Sequence, residues 1–198
     1  YQYQFDDPMN YNSLRLVKQK NYIIATEISL PDIENVLHKV RQEPEPTISF
    51  PQANSMSRVI NLMELLNEKP MTKQDITSEY AFDTNYYTDA GRYLGLFEKE
   101  RKHQDDTIWF TLSPVGRYIM GLGYRERQLA IVTQILKHKA FNETLKLYLR
   151  SGAMPDTCMV TRIMKDSNLY HVEADSTYER RSSTITGWIN WILSIVEE

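Results

Sequence analysis

Two adjacent arginines followed by hydroxyl side chains form the stretch of this sequence with the most specific chemistry. Arg180 and Arg181 precede the run Ser-Ser-Thr at residues 182–184. A guanidinium group donates paired hydrogen bonds to a phosphate or to the O6 and N7 atoms of guanine, and hydroxyl groups bind phosphate oxygens. The stretch is therefore a candidate surface for nucleic acid, with Arg180 or Arg181 as the candidate for a bidentate contact with guanine.

The element that must position these side chains is predicted to be an amphipathic helix. Ser176 and Glu179 have the S-x-x-E spacing of a capping box, which predicts a helix start near Thr177. Apolar residues then recur at helical spacing and predict a stripe that faces the core, formed by Ile185, Trp188, Ile189, Ile192 and Val196. A DNA-recognition helix has this organisation, because its first turns meet the major groove. An amphipathic helix whose arginines are only solvated is the alternative interpretation.

The order of predicted elements between residues 55 and 123 is typical of a winged helix. Two helices, the second over residues 73–80, precede a third helix over residues 85–97. A charged hairpin and a β-branched, aromatic strand over residues 107–112 follow, and Ser113-Pro114 predicts the cap of another helix. In this arrangement the third helix reads DNA while the first two pack behind it.

The outward side of this third helix and the hairpin supply further candidate contacts. Asn85, Thr88 and Arg92 are predicted to face outward, and Lys102 lies in the hairpin that would form the wing. Acidic residues stand beside them, Asp89 among them, and a carboxylate repels phosphate although it can accept a hydrogen bond from cytosine. These acidic residues favour the alternative that the winged helix contacts only protein.

The chain divides by pattern into three parts. Residues 1–54 are predicted to be an N-terminal arm that ends in a linker, because three prolines fall between residues 42 and 54. Residues 55–123 are predicted to form a winged-helix domain, and residues 124–198 a second helix-turn-helix domain. The predicted fold class is mainly α with a small β wing, two tandem units preceded by an arm.

Two single residues carry structural predictions in the last part of the chain. Asn142 has the position of a helix N-cap before Glu143. Cys158 lies in an apolar context and is predicted to be part of the core. As the lone cysteine, it excludes an intrachain disulfide and a cysteine-rich zinc site.

Composition and charge exclude several classes of function. The 198 residues carry a formal net charge of −3, so no global positive field indicates a nucleic-acid partner. No apolar run approaches the ~20 residues of a membrane span and no signal peptide is visible, so we predict a cytoplasmic protein without a membrane partner. Histidines, carboxylates and glycines lack the spacing of metal, nuclease or phosphate-loop sites, so neither catalytic residues nor a cofactor is predicted. The missing initiator methionine indicates a fragment of a longer chain.

Two longer motifs carry a resemblance to a known family. One is YYTDAGRYLGL at residues 86–96 with LSPVG at residues 112–116, and the other is TYERRSSTI at residues 177–185 with WINWI at residues 188–192. Together they resemble the DNA-recognition region of modular type II restriction endonucleases and their restriction–modification relatives, in which winged-helix and helix-turn-helix modules bind DNA. The resemblance covers roughly residues 55–198, with Ser113 standing where the family pattern has threonine.

The resemblance implies a ligand, partners and contact residues. The ligand is double-stranded DNA, read by two major-groove helices of a monomer on an asymmetric site, and the further partner is a nuclease domain or subunit, which would hold any Mg²⁺. The implied contacts are Arg180, Arg181, Ser183 and Thr184 in the second unit and Asn85, Thr88 and Arg92 in the first. A transcriptional regulator, which would dimerise on a palindrome, and a protein-interaction scaffold without salt-dependent DNA affinity are the alternatives.

Overall fold

Helices dominate the part of the chain that the computed structural model describes, which is residues 16–19, 22–25, 27–79, 84–101 and 107–196. The N-terminal elements are β1 (Leu16–Gln19), β2 (Tyr22–Ala25) and α1 (Leu30–Lys39). The central elements are α2 (Met56–Glu68), β3 (Met71–Thr72), α3 (Lys73–Glu79), α4 (Thr84–Tyr93), β4 (Phe97–Arg101), β5 (Ile108–Leu112) and α5 (Pro114–Met120). The C-terminal elements are α6 (Tyr124–Leu136), α7 (Lys139–Ser151), α8 (Thr157–Lys165) and α9 (Asp175–Ser194). The prediction of a mainly α chain with a small antiparallel sheet is confirmed.

The central sheet has the strand order β3-β5-β4, and both pairings are antiparallel. Strand β5 matches the predicted strand over residues 107–112. The charged stretch before it, predicted as part of a hairpin, is a strand as far as Arg101, because pairing of β4 with β5 gives its backbone groups partners. Phe97 of β4 and Phe110 of β5 are buried, whereas the rest of β4 is exposed.

Helix α4 ends four residues before the predicted end at residue 97. Gly95 has a φ of 69°, and the amide of Leu96 donates to the carbonyl of Gly91 at 2.8 Å. The amide of Gly95 donates to the carbonyl of Arg92 at 3.0 Å, which completes a Schellman motif. The left-handed conformation at glycine thus stops the helix and turns Phe97 into the first residue of β4.

The structure corrects two single-residue predictions in the C-terminal helices. Asn142 does not cap a helix, since it lies inside α7, is buried, and its side-chain amide donates to the carbonyl of Leu136 at 3.0 Å. Gly152 ends α7 in the left-handed conformation. Cys158 is exposed rather than buried, because the core-facing side of α8 is formed by Val160, Ile163 and Met164.

Helix α9 starts two residues earlier than its predicted start at Thr177. Its N-cap is Ala174 and makes no side-chain cap hydrogen bond, so the predicted capping box of Ser176 and Glu179 is not formed. The first residue, Asp175, pairs instead with Lys165 of α8 at 2.7 Å. The predicted apolar stripe is confirmed over its buried members, which are Ile185, Trp188, Ile189 and Ile192.

Residues 42–54, which we call the strap, were predicted to be a linker, and that prediction is wrong. Phe50 and Ala53 are only 1% exposed. The Phe50 ring stacks on Phe141 of α7 with 5.7 Å between centroids and meets the Tyr93 ring edge-on at 5.4 Å. One cluster of buried residues contains side chains from the strap, from α2–α5 and from α6–α9. The strap is therefore part of the core that joins the two predicted units.

Candidate nucleic-acid interface

The N-terminal half of α4 presents some of the predicted contacts and buries one. Asn85 is exposed and the neighbouring Tyr86 is 42% exposed. Thr88 is only 2% exposed, and its hydroxyl donates to the carbonyl of Asn85 at 3.1 Å. The expectation that Thr88 contacts DNA is therefore wrong for this structure, because α4 is packed on the side that carries Tyr87 and Thr88.

Arg92 lies at the other end of α4. Its guanidinium pairs with Asp89 at 3.0 Å and remains partly exposed. Six residues separate Arg92 from Tyr86, which corresponds to about 9 Å along a helix. Arg92 lines a cavity of about 270 Å³ together with Lys137 and His138. The structure thus separates Arg92 from the contacts at the start of the helix. The remaining predicted contact of this unit, Lys102, lies outside the described residues.

The first half of α9 keeps two of its four predicted contacts exposed. Arg180 and Ser183 are exposed, and the Ser183 hydroxyl donates to the carbonyl of Arg180 at 3.0 Å. Thr184 is fully buried, and its hydroxyl donates to the carbonyl of Pro51 in the strap at 3.1 Å. The prediction that Thr184 contacts DNA is wrong for this structure, because the strap covers that side of α9.

Arg181 is the most unusual polar residue of this region. Its side chain is partly buried, and its Nε and Nη1 atoms are shielded from solvent without a hydrogen-bond partner among the described residues. Burial lowers the pKa of Arg181 from its usual value, repulsion by Arg180 lowers it further, and the nearby Tyr86 hydroxyl acts in the opposite direction. Tyr86 of α4 is thus within electrostatic range of Arg181 of α9, and both helices pack on α2.

Polar side chains of α4 and α9, two helices that both pack on α2, thus remain at least partly exposed. We define the arginine patch as Asn85, Tyr86, Arg180, Arg181 and Ser183. Arginine and serine donors dominate it, and the exposed tyrosine ring offers a face on which a base or a guanidinium can stack. The arrangement is suited to an anionic, hydrogen-bond-accepting ligand.

Arg58 is a residue that the sequence reasoning missed. It is exposed in the first turn of α2, and its guanidinium carbon lies 5.8 Å from the centroid of the Tyr87 ring. This cation–π contact places a further positive charge beside α4. Helical periodicity could have indicated its exposure, because it precedes the buried Val59 by one position, but its neighbourhood with α4 depends on tertiary packing.

The described residues give no indication of a metal centre or of a membrane segment. Within the ranges that the structure describes, no group of three histidine, cysteine, aspartate or glutamate side chains is arranged to hold a metal ion. Among the helices of those ranges, none combines the length and the apolar character needed to cross a membrane.

The fold and the patch define a mainly helical protein with a three-stranded antiparallel sheet and polar, arginine-bearing positions on α4 and α9. The chain belongs to the DUF7226 family, described as a domain of unknown function, whose model matches residues 58–197. The matched range begins within α2 and includes α9, and the strap precedes it. No curated protein and no solved structure matches the chain.

Proposed function

We propose that this protein binds double-stranded DNA sequence-specifically through the arginine patch, and that it is the target-recognition part of a restriction endonuclease. The observation that supports this most is that two donor atoms of the Arg181 guanidinium are buried without a hydrogen-bond partner among the described residues. Leaving a buried donor unpaired costs roughly 1–3 kcal/mol, and more for a charged group. A phosphate oxygen or a guanine edge removes that cost if it draws the guanidinium to the surface and accepts from these donors, so ligand binding gains more at Arg181 than at an arginine that is already solvated.

The proposal includes an assignment of the elements to DNA-binding units. Helices α2, α3 and α4 with the β4–β5 hairpin form a winged helix in which α4 reads DNA, and α6–α9 form a second helix-turn-helix unit in which α9 reads DNA. The order of the elements supports this assignment, as does the electrostatic interaction between Arg181 and Tyr86. The nuclease is a further domain or subunit in this proposal, and the chain acts in the cytoplasm.

The experiment first selects bound sequences from a random pool of duplexes and then measures affinity for the selected site. We expect Arg180→Ala and Arg181→Ala each to weaken specific binding by ~1–3 kcal/mol, the range for one bidentate contact with a base. Arg150→Ala is the matched control, because Arg150 is exposed on α7 and lines a different cavity with Glu34 and His38 of α1. Circular dichroism checks that all variants remain folded.

Two outcomes would contradict the proposal. If the wild-type protein selects no sequence and shows no salt-dependent affinity for DNA, the protein-scaffold alternative is favoured. If it selects a palindrome and sediments as a dimer on it, the regulator alternative replaces the restriction assignment. Unchanged affinity in both arginine variants would show that DNA does not bind at this part of α9.

A further inference from the structure

The strap is hydrogen-bonded to α9 by side chains of the helix. The Thr184 hydroxyl donates to the carbonyl of Pro51 at 3.1 Å, and the Trp188 Nε1 donates to the carbonyl of Ala53 at 2.7 Å. Between them, Gly187 lets the strap approach so closely that a Cβ atom there would lie 2.1 Å from the carbonyl oxygen of Asn54. The strap and α9 therefore have one defined relative position.

The other half of the strap is bound to α4 through a buried carboxylate. The hydroxyl of Tyr93 donates to Glu45 Oε2 at 2.5 Å, and both side chains are more than nine-tenths buried. Burial, and next the charge of Glu45, raises the pKa of Tyr93 well above its usual value, so the hydroxyl keeps its proton and remains a donor. This bond fixes the strap to the last turn of α4.

Further contacts keep the strap stiff between these two attachments. His138 Nδ1 lies 3.5 Å from Glu45 Oε2, and the imidazole stacks on Tyr93 with 4.1 Å between centroids. Farther along the strap, Phe50 stacks on Phe141, which stacks on Trp188 of α9 at 4.9 Å. An unbroken series of buried contacts thus runs from α4 through the strap and α7 to α9.

We propose that the strap sets the position of α4 relative to α9, and that Thr184 and Tyr93 are positioning residues for the arginine patch. The inference rests on the proposed function, since two reading helices must be held at one spacing to match one DNA site. Helix α2 packs on both helices as well, so the strap is a second connection between them. The strap restricts the distance between α4 and α9. Thr184 and Tyr93 therefore act through the position of these helices and do not themselves contact DNA.

The first test measures this separation without DNA, in the full chain. Spin labels on cysteines introduced at Asp89 and Asn190, in a Cys158→Ser background, report the distance between α4 and α9. We expect Thr184→Val, which keeps the shape but removes the bond to Pro51, to shift or broaden the distance distribution. Thr184→Ser restores the hydroxyl and should restore the wild-type distribution.

Matched controls separate positioning from a general loss of packing. Thr186→Val removes a hydroxyl that bonds only to carbonyls of its own helix, so it should leave the distance distribution unchanged. Tyr93→Phe should broaden the distribution, whereas Tyr178→Phe removes a buried hydroxyl that donates to Val172, outside the strap, and should not. A Thr184→Val protein with the wild-type distribution overturns the inference.

The second test uses DNA sites selected from a random pool. We expect Thr184→Val to lose about ten-fold in affinity, the size of one hydrogen bond, while each half-site keeps its sequence and the permitted spacing between half-sites widens. A loss of affinity with unchanged spacing preference overturns the inference and assigns Thr184 a purely structural role. If the wild-type protein binds no DNA, the proposed function fails, while the distance measurement still decides whether the strap positions α4 and α9.

Discussion

Hydroxyl residues in the predicted reading helices have two different roles in this structure. Ser183 is exposed, whereas Thr184 is buried beneath the strap and Thr88 is buried on α4. A threonine has a methyl group for the core and a hydroxyl that bonds either to a neighbouring carbonyl or to a ligand, so its type does not distinguish these roles. The same is true of Arg181, whose long side chain is partly buried while its neighbour Arg180 is exposed.

Gly187 gives a prediction at the scale of one residue. We expect Gly187→Ala to destabilise the protein by ~1–3 kcal/mol, because the added Cβ would overlap the carbonyl oxygen of Asn54. The helix propensity of alanine recovers up to about 1 kcal/mol of this loss. Urea unfolding followed by circular dichroism measures the difference in the free energy of unfolding.

Gly121→Ala is the control for this measurement. A Cβ at Gly121 would lie 3.4 Å from the nearest atom, the carbonyl oxygen of Tyr118, which is an ordinary contact. The free energy of unfolding of this variant should therefore lie within about 0.5 kcal/mol of the wild-type value, as is usual for surface substitutions. Equal stability of the two alanine variants would show that Asn54 of the strap can move away from the added Cβ without destabilising the protein.

At the scale of elements, α1 is attached to α6 by an ion pair between residues that are distant in the sequence. Asp32 Oδ1 lies 2.5 Å from Arg125 Nη2, and the Arg125 Nε donates to the carbonyl of Glu27 at 3.2 Å. The Asp32 pKa is lowered, first by the hydrogen bond from the Ser29 amide and also by the Ser29 hydroxyl and Arg125. One carboxylate thus stabilises both the start of α1 and its attachment to the C-terminal helices.

The lowered pKa of Asp32 predicts a loss of stability in acid. A folded-state pKa below the unfolded value contributes stability above the unfolded pKa of ~3.9, and the contribution is lost as the pH falls through the lower folded value. We expect Asp32→Asn to cost about 1 kcal/mol at pH near 7, an amount reduced by the partial exposure of the pair. The difference from wild type should shrink as the pH is lowered below ~4.

Unfolding by urea at a series of pH values measures this difference. Asp166→Asn, an exposed residue after α8, is the control and should follow the wild type at every pH. A difference between Asp32→Asn and the wild type that stays constant down to acid pH would contradict the assigned role of the ionised carboxylate.

The strap shows why an element can be misread from its sequence. Prolines between residues 42 and 54 prevent a helix and are typical of linkers, and both statements describe the local backbone correctly. Whether such a segment is solvated or buried depends on what covers it. Here Phe141 and Trp188, distant in sequence, form the surface that receives Phe50, and local composition contains no sign of that surface.

At the scale of the whole molecule, the negative net charge opposes the proposed binding of DNA, which is itself negatively charged. A chain of net charge −3 is repelled by DNA at long range, so binding depends on the local charge of the patch. Salt then acts mainly through the few phosphate contacts that the patch makes. The charge distribution therefore predicts weak non-specific binding together with specific binding by a small number of arginines.

The salt dependence of affinity checks this prediction. The slope of log affinity against log salt concentration should become shallower by about 0.9 for each phosphate contact removed. We expect the double variant Arg180→Ala with Arg181→Ala to flatten the slope, and Arg150→Ala to leave it unchanged. A slope that is the same in all three proteins would mean that these arginines make no phosphate contacts.

The elements themselves were predictable from local chemistry. Periodic apolar residues, Ser113-Pro114 and Gly152 act over a few positions, and the predicted helices and β5 follow from them. The error at the end of α4 arose because Gly95 adopts the left-handed conformation that stops the helix, and the error at the start of α9 arose where Asp175 pairs with Lys165 of α8. Local signals therefore determine which segments are helical, while a glycine turn and a tertiary ion pair set the bounds of these two helices.

The candidate site also has some features that are local to the sequence and others that depend on tertiary packing. The sequence by itself determined that arginines and hydroxyl groups crowd the first turns of one helix, because residue type and helical spacing are local properties. Only the tertiary structure decided that Thr184 and Thr88 are buried and that the strap connects α4 with α9. The physical reason is that burial and proximity are properties of pairs of segments far apart in the chain, and no single segment encodes its partner.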